Sequence, residues 1–323
     1  MRKRWVVLLT LAVATMLGVS VMSVYQVLSI DSLAPAHYER PHDSYRLVLV
    51  SREQDTPFWA KLEEGARREA VRHGAALEFW GTLGADEEAF LKRIEIAIAS
   101  KVDGIIVQGL DTDAFKQLTK VKAAGAGIPV VTVANDVPMN ESLRRTYVGS
   151  DHLEAGRLLA SHLIEDLGGR GKVVLMTSER EEHFERTRLE GIMDALEGRP
   201  DVDVVVTRLG ETRERVVQDA NAMLNAHPDA NAFVLVSPAH AGAVLQEIGR
   251  RTRVEDGLVY AFDDSPDAAA LLEQGAIDAL LAQEPEAMGE ESVEKLIMWL
   301  DGRQLPLDPE GYFTDIRVER AGE

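Results

Sequence analysis

"RLVLV" at residues 46–50 is an unbroken apolar run, and it passes through "SREQDTPFW" (51–59) into "AKLEEGARREA" (60–70), where Leu62, Ala66 and Ala70 recur at helical spacing. A strand without polar alternation that leads straight into an amphipathic helix is the unit of a parallel sheet covered on both faces. The unit repeats along the chain. Further apolar runs are "ALEFW" (76–80), "GIIVQ" (104–108) and "PVVTVA" (129–134), then "KVVLM" (172–176), "DVVVT" (203–207), "AFVLV" (232–236) and "LVYAF" (258–262). Helical stretches such as Leu158, Leu159, Leu163 and Leu167 separate them. The pattern divides into two similar halves, which predicts an α/β protein of two similar lobes with parallel sheets.

Parallel α/β sheets bind ligands in the crevice beyond the carboxyl ends of their strands. The segments in that position are "SREQDTPFW", "QGLDTD" (108–113), "NDVP" (135–138), "SPAH" (237–240) and "DDSPD" (263–267), and polar groups and rings collect in them. Pro57 suits the first turn of a helix and Thr56 its cap, which puts Phe58 and Trp59 at the mouth of the crevice. Phe58 has two readings, one with Leu62 on the packed stripe and one on the cleft. Trp59 is read as lying off that stripe, its flat face turned to a ligand.

The first thirty residues form a separate problem. Arg2, Lys3 and Arg4 precede an uncharged stretch, Trp5 to Ile30, long enough to cross a ~30 Å hydrocarbon core as a helix. Basic residues before the span favour an N-inside orientation, which places the remainder outside the cytoplasm. A cleaved signal normally carries an apolar region of only ~7–15 residues, so residues 1–30 read as an uncleaved transmembrane anchor; Ala34-Pro35-Ala36 keeps cleavage as the alternative. Residues 31–44, with two prolines and no apolar period, read as a linker.

Composition excludes several functions. The chain of 323 residues holds no cysteine, so disulfides, thiolate metal sites and a lipid-modified cysteine are absent. Formal charge is −19, and with Arg2, Lys3 and Arg4 set aside the rest carries −22, a surface that repels phosphate backbones and argues against nucleic acid. "GGRGKVV" (168–174) lacks the Ser/Thr of a phosphate loop and precedes a strand, so it reads as a helix-to-strand turn. "EREEHFE" (179–185) has no metal-ligand spacing, and no Gly-x-Ser-x-Gly elbow occurs. No catalytic residue, cofactor or metal is assigned.

Several pieces, in a fixed order, carry a family resemblance: "TPFWAKLEEGARREAVRHG" (56–74), "DGIIVQGLDTDA" (103–114), "GIPVVTV" (127–133), "YVGSDHLEAGRLLA" (147–160), "ERTRLEGI" (185–192), "HPDANAFVL" (227–235), "YAFDDSPDAAALLEQGAIDALLAQEPEAMG" (260–289) and "KLIMWLDGR" (295–303). From Tyr45 to Val318 the chain resembles the type I periplasmic binding proteins, in the ribose-binding branch that shares its fold with the effector domains of LacI-type repressors. The resemblance implies two Rossmann-like lobes joined by a three-crossing hinge, with ligand between them and hinge closure on binding. Crossings are then expected near Val148-Gly149, Gln283-Glu284 and Asp308-Pro309. The N-terminal lobe would be 45–148 plus 284–308, and the C-terminal lobe 149–283 plus 309–320.

By the same resemblance, Phe58 and Trp59 match paired rings that sandwich a sugar, Arg186 a donor to hydroxyls, Asp263 an acidic acceptor and Gln108 an amide at the end of the third strand. Thr56, Asn135, Asp136, Ser237 and Gln283 complete the expected ligand set, although Gln283 also fits a bond to the crossover backbone. Arg188 is expected to tie its helix to a loop, and Asp264 and Asp267 to cap or meet solvent. Three positions depart from the family: Ala134 stands where an acidic residue is common, Ser237 replaces Asn, and Glu211 an aromatic or small polar residue. Glu211, Asp136 and Asp264 leave a positively charged ligand open.

The function implied is an extracytoplasmic receptor for a sugar or related polyol, monomeric in its binding domain, that serves an ABC permease. The alternative is a membrane-anchored sensor subunit that signals to a histidine kinase. The long anchor without a lipid cysteine favours the second, and the breadth of the family the first.

Overall fold

The computed structural model describes Met16 and residues 44–54, 56–82, 86–237, 241–251, 257–262 and 266–320, without the side chains of 249–251, 266 and 267. The anchor expected at 1–30 and the linker at 31–44 lie outside the described residues, apart from Met16 and Ser44. Among the described residues no helix is long and apolar enough to cross a membrane.

Among the described residues, twelve strands form two six-stranded sheets. The first contains β1 (Arg46–Ser51), β2 (Ala76–Gly81), β3 (Gly104–Gln108), β4 (Val130–Val133), β5 (Thr146–Gly149) and a late addition, β11 (Tyr312–Phe313), in the order β11-β5-β4-β3-β1-β2. The second contains β6 (Gly171–Ser178), β7 (Val202–Leu209), β8 (Ala232–Leu235), β9 (Leu258–Ala261), β10 (Ala279–Gln283) and β12 (Ile316–Arg320), in the order β12-β10-β9-β8-β6-β7. All pairings are parallel except that of β12 with β10.

The apolar runs follow from this two-sided burial. Leu47 and Leu49 point to a core with Leu62, Ala66 and Leu296, whereas Val48 and Val50 point to the opposite face with Phe90, Ile94 and Phe115. In the second lobe Val174 and Met176 pack with Val216 and Val244, and Val173 and Leu175 with Leu159 and Ile192. A strand in this position cannot alternate, because each exposed polar side chain would be driven into one core or the other. The edge strands are the exceptions: β2, β7, β11 and β12 are each partly open, and Val206 on β7 is exposed.

One packing device appears in both lobes. Helix Pro57–Arg72 crosses helix Pro285–Leu300 so closely that a methyl group on Gly65 would stand 2.0 Å from Glu286 O, and one on Gly289 2.0 Å from Leu62 O. Helices His152–Asp166 and His183–Leu196 meet in the same way, with Gly156 against Arg188 O and Gly191 against Leu153 O. No side chain larger than hydrogen fits at these crossings without movement of the backbone.

The chain passes from the first sheet to the second after Gly149, returns after Gln283 and passes again between Phe313 and Ile316. The last passage lies beyond the Asp308-Pro309 of the sequence reading. The reason is β11: Tyr312 and Phe313 pair in parallel with Val148 and Gly149 and keep the chain in the first sheet.

Candidate ligand-binding site

Loops from both lobes meet at the carboxyl ends of the strands. β1 runs into Arg52, whose backbone N–H donates to Gln108 Oε1 at 2.9 Å and whose carbonyl accepts from Thr82 Oγ1 at 2.6 Å. Gln108 ends β3 and is buried, so its amide oxygen is committed to this turn and its NH2 is the group left to donate elsewhere. Thr56 caps helix Pro57–Arg72 through Trp59 N, as its position before Pro57 predicts.

Trp59 does not lie off the packed stripe. It is 3% exposed and begins the buried series Trp59, Leu62, Ala66, Ala70 on the first lobe's core. The reason is helix phase: from a start at Pro57, residues 59, 62 and 66 face inward together. Phe58 is half-buried at the margin of that core, and its ring meets Trp59 edge-on at 5.5 Å and 77°. The more open ring of the pair is therefore Phe58.

Asp136 is engaged as well. Arg144, 3% exposed, donates from Nε and Nη2 to the two oxygens of Asp136, each at 2.6 Å, and Thr132 Oγ1 donates to the same carboxylate at 2.7 Å. A carboxylate held in this fork is an anchor for the loop after β4. The turn itself is tight: Ala134 takes a left-handed φ of 63°, and Asn135 returns its carbonyl to Gly109 N at 2.9 Å.

On the second lobe, Ser237 lies with Thr177, Ser178 and Gly210 around a small pocket at the carboxyl ends of β6, β7 and β8. Arg186 is half exposed, donates to Glu181 O at 2.7 Å and pairs with Asp111 of the first lobe. Gln283 ends β10 and accepts from Ser150 Oγ at 2.9 Å, a bond that ties the first two crossings together. Asp263 and Asp264 lie outside the described residues, as does the side chain of Asp267.

A buried polar chain runs behind the site through the hinge. Arg188 donates from Nη1 to Val236 O at 3.1 Å and from Nε to His152 Nδ1 at 3.3 Å, and stands 4.4 Å over the Phe262 ring. The expected tie from helix to loop is present. Because guanidinium only donates, Nδ1 accepts and the proton sits on Nε2, facing Ala134 O and Tyr147 Oη at 3.2 Å each. Burial, and next the Arg188 charge, hold this imidazole well below its ordinary 6.5. Burial likewise keeps the Tyr147 phenol neutral.

Sequence reasoning missed Arg52, Asp111 and Glu182. Arg52 pairs with Glu182 across the lobes, so two ion pairs, this one and Asp111–Arg186, join the loops after β1 and β3 to helix His183–Leu196. Burial pushes the Glu182 carboxyl up more than Arg52 lowers it. Burial would also raise Asp111, but Lys116 and Arg186 outweigh it and hold that carboxyl down.

Two wound sheets, a hinge of three passages and facing polar loops define the two-lobe binding proteins. The periplasmic binding protein domain matches residues 47–304, and the chain belongs to that family. It is 25% identical over 281 residues to the ribose import binding protein RbsB of Bacillus subtilis, covering 85% of this chain and 89% of that one. It superposes on GanP, a glucose-galactose binding protein from Geobacillus stearothermophilus, with a TM-score of 0.79 and 31% identity over 86% of this chain and 98% of that one. The XylFII-LytSN complex contains the same fold, at a TM-score of 0.74 and 24% identity over 86% of this chain and 98% of that one. The relatives are substrate receptors, not enzymes.

Proposed function

We propose that this chain is an extracytoplasmic receptor that binds a sugar or related polyol between its lobes for an ABC-type importer. The observation that carries the reading is the match to GanP, named for glucose and galactose, at 31% identity over 86% of this chain. The ligand set is Thr56, Phe58, Gln108, Asn135, Arg186, Ser237, Asp263 and Gln283, with Trp59 supporting the Phe58 ring from behind and Asp136 fixing its loop. An NH2 donor on Gln108 and a guanidinium on Arg186 suit the lone pairs of vicinal hydroxyls, and a carboxylate at Asp263 suits their protons. Ligand that contacts both lobes stabilises the closed form by its differential affinity.

A second reading makes the same clamp a sensor subunit beside a membrane histidine kinase. It rests on the uncharged stretch Trp5 to Ile30 behind Arg2, Lys3 and Arg4, in a chain with no cysteine for a lipid. We place the binding domain outside the cytoplasm on that anchor, as a monomer.

A thermal-shift screen against pentoses, hexoses, inositols and amino sugars tests the reading. A true ligand at 100 times its Kd adds about 2.7 kcal/mol of stability. A panel without any shift sinks the sugar assignment. Cross-linking in native membranes separates the two roles: recovery of a permease supports import, and recovery of a kinase supports sensing.

A further inference from the structure

Arg52, Asp111, Glu182 and Arg186 form one alternating set of charges across the mouth of the cleft. Their placement follows from the topology. β1 and β3 are neighbours in the first sheet, so the loops that follow them lie side by side and present Arg52 and Asp111 together. Opposite stands the start of helix His183–Leu196, where Glu182 is the cap and Arg186 follows one turn later on the same face. Each first-lobe group meets a second-lobe group of the other sign.

The set is held in place from both sides. The backbone of Arg52 is fixed by Gln108 and Thr82, and the Asp111 carboxylate is held by Lys116 at 2.7 Å, which in turn pairs with Glu141 at 2.5 Å. On the helix, the Glu185 carboxylate accepts from Glu182 N at 2.9 Å and from Ser178 Oγ at 2.6 Å. The side chains of Arg52 and Glu182 are 19% and 26% exposed, so their attraction is screened less than that of a surface pair. None of these contacts requires a ligand.

We infer that the pairs Arg52–Glu182 and Asp111–Arg186 are a latch by which the two lobes hold each other closed before any ligand enters. The inference concerns the ligand-free receptor and goes beyond the identity of its substrate. A latch of this kind trades closing amplitude for affinity, because a ligand that meets lobes already closed does less work to bring them together. It also places Arg186 in a choice between Asp111 and an incoming hydroxyl.

The chain has no cysteine, so two introduced thiols take spin labels without background. Val121 on the first lobe and Met193 on the second are exposed, and V121C/M193C reports the distance between lobes in the full chain by double electron–electron resonance. Without ligand at low salt, a short distance dominates. D111N with E182Q, which keeps the carbonyl that caps the helix, shifts the closed-to-open ratio about three- to tenfold toward open. Raising salt to about 1 M, where screening acts within ~3 Å, does the same to the unaltered receptor. R52E opens the lobes and R52E/E182R recloses them. Distances that stay unchanged in D111N/E182Q and at high salt overturn the latch. Should the variants fail to fold, the salt series on the V121C/M193C chain alone decides it.

Discussion

Asp136 and Arg144 face each other in a two-bond fork, 2.6 Å on each side, below the loop that follows β4. Removing Asp136 leaves the Arg144 charge, 3% exposed, without a counter-charge and with only the backbone carbonyls of Val137 and Pro309 to donate to. Asp136→Ala is therefore expected to lose about 3–5 kcal/mol of folding stability. Denaturant melts check this; a variant as stable as the parent would mean that the fork contributes nothing.

The helix crossings give a steric prediction. Gly289→Ala puts a methyl group 2.0 Å from Leu62 O, and the two helices must separate. The expected loss is about 1–3 kcal/mol or more, with the same order for Gly156→Ala in the second lobe. Equal melting temperatures for parent and variants would refute the close crossing.

Phe58 and Trp59 separate by phenotype. Trp59→Ala leaves a cavity in the first lobe's core and is expected to lower stability by about 3–5 kcal/mol. Phe58→Ala loses less stability and more ligand affinity, because its ring is the half-buried one. Melts paired with titration calorimetry distinguish them, and the reverse ranking contradicts the assignment.

His152 makes stability depend on pH. Its folded pKa is depressed below 6.5, so the unfolded chain binds the extra proton first and stability falls as pH drops below about 6.5 toward the folded value. His152→Gln flattens the slope of melting temperature between pH 7 and 5. A variant with the parent's slope removes His152 from the account.

Much of this fold can be read from the amino acids. The runs at 46–50, 104–108 and 232–235 are strands because two cores cover them, and that leaves a continuous apolar signature. β12 was not legible: "IRVER" is a half-open antiparallel edge strand, and its side chains answer to solvent as much as to the core. Trp59 was misplaced because helical spacing fixes a stripe only to within about a residue. The Arg52–Glu182 and Asp111–Arg186 pairs join positions far apart in the chain, and no periodicity encodes such meetings. Asp136 looked free in sequence because its partner, Arg144, arrives from the next turn.

The most direct test is calorimetric titration of the sugar found by thermal shift into the unaltered protein and into Arg186→Ala and Asp263→Ala. One site per chain is expected, with a loss of about a hundredfold or more in affinity for each variant, as for a hydrogen-bonded charged partner removed from a closed cleft. Unchanged affinity in both variants would show that the sugar binds somewhere other than between the lobes.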